Sequence, residues 1–213
     1  MRVITGEARG FRLKGPAGPF TRPMSDKIKG ALFSMLASLG VEPERVLDLY
    51  AGTGSIGIEA LSRGAGHADF VEQNAAAAAV VRDNLAHTKL AGRARVHQTA
   101  VAAFLAAAER APGAVTPYDL VVMDPPYADP EIVATLARVG ASPLVQSGAV
   151  VVVGHSPRVA LPERAGRLER LRERCHGDSC FSVYDVVAGD DAGNGTGPSG
   201  KGGDAAGNLP GEL

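Results

Sequence analysis

The sequence predicts an α/β fold: a mostly parallel sheet with helices on both faces, preceded by a small basic hairpin-and-helix extension. Three observations predict it. Between residues 41 and 188, short apolar runs alternate with segments of helical periodicity, the strand–helix order that builds a parallel sheet. The run Ala149–Val153 is apolar at every position, as a strand covered on both faces must be. Between the first strand and the first helix of this region stands Gly52-Thr-Gly54-Ser-Ile-Gly57, at the place where such sheets receive a ligand.

The elements follow in order. Residues 1–40 form the extension, in which segments 2–5 and 11–14 read as short strands joined through Gly6 and Gly10. Pro16, Gly18 and Pro19 break the chain. A helix then starts at the N-cap Ser25, with Ile28, Ala31, Leu32, Met35, Leu36 and Leu39 at helical spacing. Residues 41–188 form the main domain. Val46–Tyr50 is a strand, with Asp48 as a polar oddity inside it, and Ser55–Arg63 a helix. Ala68–Glu72 is the second strand, and Asn74 caps a helix reaching about Leu90. Ala94–Thr99 is the third strand, and Val101–Ala111 a helix stopped by Pro112-Gly113. Tyr118–Met123 is the fourth strand, Glu131–Leu144 is helical with a break near Gly140, and Ala149–Val153 is the fifth strand. Leu168–Cys175 and Phe181–Val187, on either side of His176-Gly177-Asp178, are expected to close the sheet as an antiparallel hairpin. Residues 189–213 hold nine glycines and little that is apolar, so disorder is expected of them.

Composition excludes several classes. No apolar run approaches the ~20 residues of a membrane span, and Met1–Gly6 lacks the apolar stretch of a signal peptide; the expectation is a cytoplasmic protein. Cys175 and Cys180 are the two cysteines. With no second Cys/His pair to complete a metal site, they are expected to be free thiols beside a turn. The net charge of −1 hides an asymmetry. Residues 1–30 carry seven Arg and Lys against two acidic residues, while residues 189–213 carry four acidic residues against one Lys. Local charge sets attraction to phosphates, so Arg9, Arg12, Lys14, Arg22, Lys27 and Lys29 are candidate RNA contacts. Arg164, Arg167, Arg170, Arg172 and Arg174 alternate with Glu163, Glu169 and Glu173 and are expected to form a solvated face.

The glycine loop matches G-x-G-x-x-G, with Glu72 twenty residues after Gly52. Glycines let the backbone approach a nucleoside, and the acid accepts from ribose hydroxyls. The motif alone serves NAD and S-adenosylmethionine equally. Asp48 favours the second, because an anion would repel a pyrophosphate but suits a ligand with an ammonium and a sulfonium. The candidate cofactor residues are Asp48, Ala51, Gly52, Thr53, Gly54, Ser55 and Gly57 around the turn, Glu72 and Gln73 after the second strand, Ala100 after the third and Asp124 after the fourth.

Asp124-Pro125-Pro126-Tyr127 follows the fourth strand. An exocyclic amino nitrogen is a poor nucleophile because its lone pair is delocalised. The Asp124 carboxylate and the Pro125 carbonyl, accepting its N–H bonds, would free that lone pair and stabilise the charge that moves onto nitrogen during methyl transfer. Pro125 and Pro126 stiffen the loop, and Tyr127 would stack on a base drawn out of its helix.

These motifs, with Arg2-Val-Ile-Thr-Gly6, Arg9-Gly-Phe-Arg-Leu13, Arg22-Pro23, Asp26-Lys-Ile-Lys29 and the run Asp48–Gly64, resemble the RsmD-type 16S ribosomal RNA guanine-N2 methyltransferases over residues 2–187. The resemblance implies a class I methyltransferase fold with a seven-stranded sheet and a reversed final strand. It also implies S-adenosylmethionine as cofactor, and as partner the 16S RNA of a small ribosomal subunit or assembly intermediate. Gly30, Met24 and Asn74 depart from the family's usual Glu, Thr and Asp. Asp-Pro-Pro-Tyr is shared with DNA adenine and cytosine and protein glutamine N-methyltransferases, so these stay as alternatives, beside a non-catalytic RNA-binding assembly factor. A monomer is the simplest expectation.

Overall fold

A computed structural model describes residues 1–15, 25–126 and 129–188. The helix expected after Ser25 is α1 (Asp26–Ser38), and the Ser25 side chain caps it by accepting from the Ile28 N–H. Then come β1 (Arg45–Leu49), α2 (Ser55–Ser62), β2 (His67–Glu72), α3 (Ala75–His87), β3 (Ala94–Gln98), α4 (Val101–Arg110) and β4 (Tyr118–Met123). The chain continues with α5 (Ile132–Ala141), β5 (Val145–His155), β6 (Arg164–Ala165), β7 (Leu168–His176) and β8 (Ser179–Val186). Asn74 fulfils its capping role, its Oδ1 accepting from the N–H groups of Ala76 and Ala77 at 3.0 Å each.

The strands form one sheet in the order β3-β2-β1-β4-β5-β8-β7-β6. The first five in that order are parallel, and β8 returns antiparallel against β5 and β7. The reversed last strand and terminal hairpin are as expected. The strand number is not: there are eight rather than seven, because Arg164–Ala165 pairs with Glu169 and Leu168 at the outer edge. Two residues carry no periodicity that a sequence could display. The head is also shorter in strand than expected, since segments 2–5 and 11–14 reduce to the single bridge Arg2–Arg12.

Alternate residues of the central strands enter two cores. Val46, Val122, Val152, Phe181 and Val183 face α1, α2 and the head residues Val3, Ala8 and Leu13. Leu47, Val121, Met123, Val151, Val153 and Tyr184 face α4 and α5. This period of two across a doubly covered sheet explains why Leu120–Met123 of β4 and Ala149–Val153 of β5 are apolar throughout. No helix among the described residues is long and apolar enough to cross a membrane.

The cysteines correct an expectation. Cys175 and Cys180 form a disulfide rather than two free thiols. They face each other across the β7–β8 ladder, with Cα atoms 4.0 Å apart, so hairpin register alone brings the sulfurs together.

Candidate active site

The C-terminal ends of β1, β2 and β4 carry the predicted residues to one rim of the sheet. Asp48 pairs in register with Phe70 on β2 and Val122 on β4. It is 1% exposed, and its Oδ2 accepts from the Gly57 N–H at 2.9 Å. A Cβ at Gly57 would come within 2.4 Å of the Phe70 ring and 3.2 Å of Asp48 Oδ2, so only glycine allows this carboxylate to hold the first turn of α2. Asp48 is thus buried, and its carboxyl braces the first turn of α2 through the Gly57 N–H.

Glu72 closes the same loop from β2. Its Oε2 accepts from the Gly52 N–H at 2.9 Å and its Oε1 from the Asn74 N–H at 2.7 Å. Gly52 and Gly54 are left-handed at φ 57° and 75°, a conformation that glycine adopts without steric penalty. Tyr50, just before them, is also left-handed at φ 61°, an uncommon state for an aromatic residue and one that must be held by its surroundings. Ala51 and Thr53 are buried, Ser55 opens α2, and Gln73 and Ala100 are exposed beyond the ends of β2 and β3.

Asp124 leaves β4 beside Gly154 of β5. A Cβ on Gly154 would lie 2.3 Å from Asp124 Oδ1, so the missing side chain makes room for the carboxylate. Burial raises the Asp124 pKa to about 6. The Asp48 pKa rises to about 8, chiefly by burial, partly offset by the Gly57 N–H and reinforced by the charges of Asp124 and Glu72. The charges of Asp124 and Glu72 thus lie close enough to the Asp48 carboxyl to oppose its ionisation. Pro125 is buried and Pro126 exposed. Tyr127 lies outside the described residues.

The basic head divides. Arg9, Arg12 and Lys27 are exposed, and Lys14 is exposed with its Nζ donating to Asp83 at 2.7 Å. Arg22 lies outside the described residues. Lys29 corrects the expectation of an RNA contact, because it is 0% exposed and paired with buried Glu59 at 3.4 Å. Its Nζ also donates to the Arg2 carbonyl at 2.8 Å. Glu59 in turn accepts from the N–H groups of Ile4 and Thr5 at 2.7 and 3.0 Å. Helical periodicity placed Lys29 beside the apolar stripe, but only the packing of the head on α2 shows that it faces inward.

Asn84 was not anticipated. It is fully buried, its Oδ1 accepts from the Lys14 N–H at 2.8 Å and its Nδ2 donates to the Thr53 carbonyl at 2.9 Å. One amide thus ties the head to the glycine turn. Nothing in the local sequence marks it, since its partners lie 70 and 31 residues away.

Known proteins are similar to this chain in sequence and fold. Residues 1–185 match the family model described as Conserved hypothetical protein 95. The chain belongs to this family. It is 36% identical over 185 residues to the putative rRNA methyltransferase YlbH of Bacillus subtilis, covering 86% of this chain and 98% of that protein. Ribosomal RNA small subunit methyltransferase D of Escherichia coli K12 is 32% identical over 184 residues, covering 86% and 89%. The solved structure of the putative methyltransferase yhhF from Escherichia coli superposes with a TM-score of 0.75 at 31% identity, covering 88% of this chain and 98% of that one. The RsmD-type resemblance and the class I methyltransferase architecture read from the sequence are thereby borne out.

Proposed function

We propose that this protein transfers a methyl group from S-adenosylmethionine to the exocyclic N2 of a guanine in small-subunit ribosomal RNA. The observation that carries the reading is the meeting of Asp48, Glu72 and Asp124 around one glycine turn. Such a turn repels a pyrophosphate and attracts a ligand bearing an ammonium and a sulfonium. The names of the B. subtilis and E. coli relatives give the substrate class, and the basic head supplies phosphate attraction.

The chemistry follows from the residues. The bound cofactor supplies an electrophilic methyl carbon. Glu72 has lone pairs to spare beyond the Gly52 and Asn74 N–H groups and takes the ribose hydroxyls. Gly52 and Gly54 keep the turn free of side chains. Asp124, ionised, accepts one N–H of the guanine amino group, and the Pro125 carbonyl accepts the other. Both acceptors strengthen their hydrogen bonds as positive charge grows on nitrogen, so they stabilise the transition state more than the bound base. Asp124 then holds the released proton, and Tyr127 stacks on the base.

The test is labelled-methyl transfer to small subunits, naked ribosomal RNA, DNA and release factors in parallel, with nucleoside analysis of the product. Label in N2-methylguanine from ribosomal RNA is expected, with loss of transfer in Asp124→Ala. Label in DNA or in a glutamine side chain, or full activity of Asp124→Ala, would overturn the assignment.

A further inference from the structure

We propose that Arg172 and Arg174, on the edge strand β7, form a second RNA surface that grips the phosphates flanking the target nucleotide; this rests on the function proposed above. The sequence places these two residues in a mixed run of Arg and Glu, but the fold sorts that run by face. Arg164 pairs with Glu169, Arg170 pairs with Glu163 and Glu173, and Arg167 donates to the carbonyls of Gly140 and Val145. Arg172 and Arg174 have no hydrogen-bond or ion-pair partner among the described residues, and both are exposed.

A bulge does the sorting. The β7–β8 register slips between Arg170 and Arg172, so Leu171 is the extra residue and the alternation changes phase there. Arg170 stays opposite Tyr184, whose face belongs to the core beneath α4 and α5. Arg172 lies opposite Val183 and Arg174 opposite Phe181, and both of those residues belong to the core beneath α1. Glu173 returns to the first face, where its Oε2 accepts from Ser182 Oγ at 3.0 Å. The inserted residue thus puts the two arginines on the face opposite Glu173, while Glu169, which shares their face opposite Asp185, is taken up by Arg164.

The face they occupy is that of the catalytic carboxylate. Arg174 is opposite Phe181, Phe181 is opposite Gly154, and the Asp124 carboxylate rests over Gly154. These residues make a row across β4, β5, β8 and β7, three strand spacings long, or about 14 Å between the Cα atoms of Asp124 and Arg174. Arg172 heads the adjacent row through Val183 and Val152. A base drawn out toward Asp124 leaves its own phosphates on this rim, where guanidinium groups suit two-point contact with phosphate oxygens. The Cys175–Cys180 disulfide lies one step beyond Arg174 and fixes the hairpin that presents it. α1, whose Lys27 is exposed, packs on the same face, so edge strand and head bracket the catalytic rim from two sides. Asp185 shares that face but sits at the other end of the sheet, opposite Val150.

The experiment is binding of the full-length R172E/R174E variant to small subunits and to 16S RNA across a salt series, with cofactor affinity measured in parallel. R164E, whose arginine is ion-paired elsewhere on the edge, is the control. A loss of at least tenfold in RNA affinity is expected, and the slope of log affinity against log salt should fall by about 1.5 to 2 for two lost phosphate contacts. Cofactor affinity should stay unchanged, as should the RNA affinity of R164E. Wild-type RNA affinity and salt slope in R172E/R174E, or an equal loss in R164E, overturns the surface. A wild type that binds RNA through these arginines but transfers no methyl group overturns the reaction proposed above and supports the surface. A wild type without RNA affinity overturns both.

Discussion

Replacing Asp48 by Asn should make the protein more stable above neutral pH and a weaker binder of its cofactor. The carboxyl is 1% exposed, and its pKa stands at about 8 against an ordinary value of 3.8. A folded-state pKa raised above the unfolded one contributes stability that is fully present below the unfolded pKa and lost as pH rises through the folded one. Between pH 4 and 8 the wild type should therefore lose about 1.4 kcal/mol per pH unit from this group, or about 4 kcal/mol by pH 7. Asn keeps an oxygen for the Gly57 N–H but buries an amide N–H with no acceptor, which costs about 1–3 kcal/mol. The two proteins should thus be nearly equal at pH 5, with the variant ahead by roughly 3–4 kcal/mol at pH 8. Urea unfolding at each half pH unit between 5 and 8.5 measures the gap, and calorimetry measures cofactor binding. A cation beside Asp48 favours its ionised form, so wild-type affinity should climb with pH toward 8, while the variant should climb less and bind about tenfold more weakly at pH 8. A stability gap that stays constant from pH 5 to 8 would mean that Asp48 is ionised throughout, and the electrostatic account of the turn would fall.

Asp124 must be ionised to stabilise the positive charge growing on the amino nitrogen and to take its proton, so the methyl-transfer rate should rise with pH through an apparent pKa near 6, set by burial; a flat profile between pH 5 and 7.5 contradicts its role. Arg9→Glu with Arg12→Glu should weaken RNA binding while calorimetry shows unchanged cofactor affinity. Lys29→Met should instead destabilise the fold by about 3 kcal/mol in denaturant melts, because it strands buried Glu59, and should leave the RNA salt slope of the folded protein untouched. Reducing the Cys175–Cys180 disulfide releases a short loop, and urea melts should show a loss of about 2 kcal/mol.

The sheet was legible because its strands announce themselves. The β4 and β5 runs are apolar, and Gly52–Gly57 and Asp124–Pro126 mark two strand exits. The residues that hold these motifs in place were not legible. Asn84 and Glu59 act on segments 31 to 70 residues away in the chain, so no local pattern records them. Lys29 shows the same limit from the other side, since a cation beside a helical stripe reads as solvent-facing until a buried partner is known. Arg172 changes meaning through one inserted residue, Leu171, which a period-two reading of β7 cannot place.

The head and the cofactor turn behave as one mechanical unit. Asn84 bonds both the Lys14 backbone and the Thr53 carbonyl, and Glu59 of α2 holds Ile4 and Thr5. Lys29 bridges the Arg2 carbonyl to Glu59 on the helix that begins directly after Gly54. RNA that pulls on Arg9 or Arg12 therefore pulls on a segment anchored beside the glycine turn. Any ordering of that turn by the cofactor would be felt at the head, and reciprocity requires the converse. Asn84→Ala should cut this link without removing a charge. RNA should then no longer change cofactor affinity in the variant, whereas in the wild type each ligand should tighten the other. Equal coupling in both proteins would show that the two regions communicate through the Lys29–Glu59 pair or not at all. Combining Asn84→Ala with Lys29→Met would separate those two cases, because only the first leaves coupling for the second substitution to remove.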